Sequence, residues 1–211
     1  MFSFAVSKPP LFFRLLWCLF LLPSLGLLAQ VGLDSPLDQR LLTLGFALLA
    51  LDQGRMAALD FRQIDQVQEN LAPAPSVLGT FHLLIWSAVI WELIGFYAGL
   101  FSLGWGILIV LSSQVWFNAW APIRLEPERS PPIQARPWLE KLGVLTADLL
   151  GCGLILLWIW QIAPLTIVLG LWSVALLYGA VKLWQGRFQL LQNTNLGSHS
   201  PPNTVEPDSG E

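Results

Sequence analysis

Charge is what this chain has least of. Only 12% of its residues are Asp, Glu, Lys or Arg, about half the share of an ordinary soluble domain. The net charge of −3 leaves no basic face for a nucleic-acid backbone, so nucleic acid is not an expected partner. Both cysteines, Cys18 and Cys152, lie inside apolar runs, where neither a disulfide framework nor a metal-ligating loop belongs. They are expected to pack as small buried hydrophobes. Histidine is equally scarce. His82 sits in an apolar run and His199 in the tail, so bis-histidine haem ligation is not available, and there is no C-x-x-C-H. G-x-S-x-G, H-E-x-x-H and Walker-type loops are also missing from the sequence. These absences predict a chain that is not an enzyme and that carries no cofactor and no metal.

Apolar length is present instead. The chain is 55% hydrophobic over 211 residues with a mean hydropathy of +0.60, and its eleven tryptophans suit anchoring at membrane interfaces and large helix contacts. Residues 77–121 form a run whose single charged side chain is Glu92; as one helix it would be roughly 68 Å long, about twice the hydrocarbon thickness of a bilayer. It must fold back on itself, and "AGLFSLGWG" is the natural hinge. This predicts spans near 78–98 and 103–121. A second hairpin, with spans near 142–163 and 165–184, is broken at "WQIAPL", where Pro164 lacks a backbone donor and disfavours helix in the residue before it.

The N-terminal third is more ambiguous. Residues 11–33 read as a span or as a signal peptide, but cleavage after Ala29 would place bulky Leu27 where a small residue is wanted. The apolar stretch 41–51 needs the residues on either side to complete a span near 37–57. Basic residues help decide. Six spans with both termini inside leave only Arg40 outside among the eleven Lys and Arg, whereas five spans with the N-terminus outside leave two. Positive charge is retained on the cytoplasmic side, so six spans fit better, with five as the fallback. Both arrangements make the loop 122–141 and the C-terminal tail cytoplasmic.

Three further segments stand out. Residues 54–71 place Phe61, Ile64, Val67 and Leu71 at helical spacing, an amphipathic helix ended by "APAP" that rests on its own bundle, on the membrane surface or on a partner. The loop 122–141, with five prolines in "PIRLEPERSPPIQARPW", reads as a stiff extended spacer. The tail 185–211 is polar and lacks helical periodicity, the signature of disorder.

A charge at the bilayer centre costs at least about 2.5 kcal/mol on insertion scales, so an intramembrane acid must be neutral, paired or facing water. Ala88, Glu92, Gly95 and Gly99 share one stripe, and Gly95 with Gly99 forms a GxxxG pair that lets another helix come close. Glu92 is therefore expected to face a neighbouring helix. Its available partners include Ser112, Ser113, Gln114 and Asn118 on the following helix, His82 on its own helix, and Trp or Tyr donors. In the second hairpin Gly143, Ala147 and Gly151 form a small-residue ladder with Asp148 beside it. Asp52 shares a face with Gly45 and has Arg55 one turn on as an ion-pair partner.

The expected fold is thus an all-α integral membrane bundle of hairpins with one interfacial amphipathic helix. Its polar residues of interest are Glu92, Asp148, Asp52, His82, Gln114 and Asn118. The expected partners are the lipid bilayer and other membrane subunits, with a homo-oligomer compatible. The expected role is a non-catalytic accessory or assembly factor packing against a larger membrane complex. The alternative is a small transporter or channel component with a proton or cation path through Glu92 and Asp148.

Overall fold

The structure, a computed structural model, describes residues 11–32, 35–70, 76–126 and 131–176. The chain divides into two units, residues 1–169 and 170–211. The expected disordered tail 185–211, the "APAP" stop and the last part of the 165–184 span lie outside the described residues.

The protein is mostly helical. Helix α1 runs Leu11–Ala29, α2 Leu37–Asn70, α3 Ser76–Gly99 and α4 Leu103–Trp120. A two-stranded ribbon follows, β1 Ile123–Leu125 and β2 Ile133–Ala135, and then α5, Trp138–Ile159. A further apolar helix, α6, is described over Pro164–Leu176, its residues 170–176 being the described part of the second unit. Four helices, α1, α2, α3 and α5, are long and apolar enough to cross a membrane. Within the first unit α1 packs on α2 and α3, α3 on α2 and α4, and α4 on α5.

Two features depart from the sequence reading. The span near 37–57 and the amphipathic helix 54–71 are one continuous 34-residue helix. Gly54 at their overlap is a weak helix former, yet no proline stops the chain there, and its missing Cβ lets Phe20 of α1 approach to within about a van der Waals contact, since a Cβ would meet Phe20 Cβ at 2.9 Å. The proline-rich loop is not a plain spacer either. Ile123 pairs with Ala135, Arg124 with Gln134 and Leu125 with Ile133 in antiparallel register. The alternation buries Ile123 and Leu125 and turns Arg124 outward. Pro122 and Pro132 still accept at the ribbon's ends, from Arg136 N at 3.0 Å and Glu126 N at 2.8 Å, because a proline lacks only the donor.

Helix α1 contains Pro23, whose ring removes the donor that would have bonded the Leu19 carbonyl. Tyr97 of α3 supplies a hydroxyl to that carbonyl at 3.4 Å, and the adjacent Ser24 donates to Ala47 O of α2 at 2.9 Å. The turn around Pro23 is thereby tied to α2 and α3. At the α5–α6 turn Gln161 and Ala163 adopt left-handed φ values of 60° and 46°, and Pro164 then opens α6 at a position where a missing donor costs nothing. Cys18 is exposed on α1, opposite the face carrying buried Leu16 and Phe20, so the expectation of two buried cysteines fails there.

Candidate functional site

Helices α3 and α4 approach each other backbone to backbone one turn from Glu92. A Cβ on Gly95 would meet Val110 Cγ2 at 2.6 Å and Gly106 O at 2.9 Å, and one on Gly106 would run into the backbone of Gly99. The GxxxG pair of α3 thus meets a glycine of α4 backbone to backbone. On the other side of Gly99, α2 contributes the Phe46 ring. One turn from Gly95, this close approach brings Gln114 of α4 to Glu92: Gln114 Nε2 donates to Glu92 Oε1 at 2.6 Å, and Glu92 is only 6% exposed. Asp60 of α2 lies within electrostatic reach of the same carboxylate.

A second polar chain lies nearer the ribbon. Asn118 Nδ2 donates to Asp148 Oδ2 at 3.0 Å, while its Oδ1 accepts from Arg136 Nη1 at 3.2 Å. One amide thereby ties α4, α5 and the residue that follows β2. Lys141 is buried with its Nζ donating to Ala119 O at 3.3 Å and lying 5.8 Å from the Trp138 ring. A cavity of about 300 Å³ opens here, its polar lining supplied by Asp60, Gln63, Arg124, Arg136 and Glu140. In the opposite direction from Glu92 the packing is aromatic. Phe96 lies 4.8 Å from Phe46 and 5.8 Å from Phe20, centroid to centroid, and both Phe20 and Phe96 are fully buried.

The other residues singled out in the sequence go elsewhere. His82 Nε2 accepts from Trp86 Nε1 at 3.1 Å and its ring stacks edge-on to Phe61. Asp52 pairs with Arg55 at 2.8 Å, both exposed. Ser113 donates to Val110 O of its own helix, and Ser112 is exposed, so neither reaches Glu92. The Gly143, Ala147, Gly151 ladder does not act as one face. Gly151 looks onto Leu111 of α4 at 3.4 Å, but Gly143 meets nothing within 4 Å and Ala147 is exposed. Residues four apart on an α-helix are offset by about 40°, so eight residues carry the stripe about 80° around the axis and off α4.

Sequence reasoning missed Asp60, Arg136 and Lys141, and also the bond from Trp158 Nε1 to Asp38 Oδ2 at 2.9 Å, which ties the end of α5 to the start of α2 across 120 residues. Apolar flanks signalled only the in-span acids; Asp60 and Arg136 sit in segments polar enough to pass for solvated surface. Among the described residues no buried side-chain nitrogen or oxygen lacks a hydrogen-bond partner, and no group of three or more His, Cys, Asp or Glu is placed to hold a metal ion. Comparison of the chain with protein-family models, with curated proteins and with solved structures finds no match.

Proposed function

We propose that this is a six-span membrane protein that acts without catalysis, as an accessory or assembly factor packing against a larger membrane complex. In this reading α1 to α6 each cross the bilayer in successive hairpins. Helix α4, 18 residues long, reaches about 27 Å, close to the hydrocarbon thickness. Exposed Trp105 and Trp160 mark one interface, and Trp116, Trp120 and Trp138 mark the other. Sorted along the sequence by this topology, every Lys and Arg but Arg40 falls on the cytoplasmic side, as do the loop 122–141 and the tail.

The observation that carries the accessory role is the outer side of α5. Within the first unit this helix packs on α4 and leaves Leu139, Leu149 and Leu150 exposed, Leu139 at 80%, around two glycines, Gly143 and Gly153, where an added Cβ would meet nothing within 4 Å. Lipid tails suffice to cover leucine. Open glycines add nothing to contact with lipid but allow close approach by a second helix. The internal acids fit a role in holding that surface in place, since each has a specific amide partner.

The transport alternative, a proton or cation path through Glu92 and Asp148, has one observation in its favour: polar groups run from the ribbon-end cavity inward to Glu92. Against it, Phe20, Phe46 and Phe96 fill the space beyond. The native mass of tagged protein in mild detergent, with co-migrating chains identified, separates the two. A defined large assembly supports the accessory role. A monomer or small homo-oligomer transfers the weight to transport, which Glu92→Gln in a proton-flux assay then tests, because full flux in that variant removes the path.

A further inference from the structure

Three arginines from two helices converge on one groove. Arg14 of α1 and Arg55 and Arg62 of α2 line a cavity of about 430 Å³ whose apolar wall is made by Phe13, Trp17 and Leu59. Arg55 and Arg62 are seven residues apart, two turns of one helix and about 10.5 Å along its axis, while Arg14 reaches across from the facing helix. Arg55 is held by Asp52. Among the described residues neither Arg14 nor Arg62 has a hydrogen-bond or ion-pair partner. Three guanidinium groups thus share one cavity with a single carboxylate to offset them. Like charges gathered this way repel unless an anion joins them.

We infer that the α1–α2 groove binds the headgroup of an anionic phospholipid, with Arg14, Arg55 and Arg62 around its phosphate and Phe13, Trp17 and Leu59 against its glycerol and upper acyl segments. Guanidinium forks match phosphate oxygens in pairs. The apolar wall distinguishes a lipid from free phosphate, which has nothing to place against Trp17. Arginines that merely obey the topogenic charge bias need only reach water, and nothing in that bias gathers them from two helices into one cavity. This inference rests on the orientation proposed above, which puts the groove in the cytoplasmic leaflet, where anionic lipids concentrate and basic pockets between helices recruit them.

The test uses the full chain, delipidated and reconstituted in nanodiscs of phosphatidylcholine with or without phosphatidylglycerol, with retained lipid counted by native mass spectrometry. Wild type is expected to retain phosphatidylglycerol in preference to phosphatidylcholine. Arg14→Gln and Arg62→Gln should each weaken retention about fivefold and the pair about thirtyfold, while Arg124→Gln on the ribbon leaves it unchanged. The charge-conserving Arg14→Lys with Arg62→Lys should keep most of the binding, which guards against a folding defect in the glutamine pair. Equal retention by the glutamine pair and wild type overturns the inference, as does an equal loss from Arg124→Gln. Displacement of the lipid by excess inorganic phosphate overturns it in favour of a soluble phosphate ligand. Both leaflets of a nanodisc have the same composition, so these outcomes do not depend on which way the protein faces. Accessibility of a cysteine placed at Gln63 in native membranes tests the orientation separately.

Discussion

Helices α3 and α5 carry the same small-residue spacing and use it in opposite ways. Gly95 and Gly99 turn inward onto Gly106, and the resulting contact is so close that no side chain fits between the backbones. On α5 only the last member of the ladder, Gly151, looks onto α4, while Gly143 faces open space. The acids follow suit. Glu92 sits in the tight interface and is buried against Gln114, whereas Asp148 is half-buried and held by Asn118. A small-every-four pattern therefore marks where a helix can be approached, and the packing around it decides whether a helix of the same chain takes that approach.

The comparison yields a graded series of stability changes, each measurable as thermal unfolding in detergent. The largest belongs to Gly106→Leu, because backbone atoms of Gly95 and Gly99 cannot move aside as a flexible side chain would. A loss at or beyond the upper end of the usual overpacking range, about 3 kcal/mol, is expected, with much reduced recovery of folded protein. Gly143→Leu, the same change on α5, is expected to leave the isolated protein unaffected. If both fail alike, the distinction between the two ladders is wrong. Next in size is Gln114→Leu, which leaves a buried carboxylate without its donor and should cost about 1–3 kcal/mol, while Glu92→Gln keeps an amide able to accept and should cost less. Asn118→Leu removes the bonds to Asp148 and Arg136 together and should cost about 1–2 kcal/mol, with the ribbon becoming more accessible to protease. The smallest is Trp158→Phe, which loses the bond to Asp38 and part of the ring that lies over Gly104, about 1 kcal/mol.

Much of this framework was readable from residue patterns. The apolar run 77–121 with its glycine hinge gave α3 and α4, Pro164 gave the turn after α5, and Gln114 stood among the few donors within reach of Glu92. What escaped has physical reasons. The hydrophobic pattern of α2 changes near Gly54, but no proline stops the chain there, and a change of pattern alone does not end a helix. The ribbon pairs only three residues a side, too few for alternation to stand out among five prolines. Asp60 within electrostatic reach of Glu92 and Asp38 bonded to Trp158 join distant segments, and neither spacing nor composition encodes them.

The outer side of α5 bears the central claim, and site-specific photo-crosslinking tests it directly. A photoreactive residue is placed at Ala147 on that side, with a matching one at Leu22 on the exposed side of α1, and both are irradiated in native membranes. The account predicts a discrete protein adduct of defined mass from Ala147 and only lipid adducts from Leu22. Lipid adducts alone from both positions would contradict it.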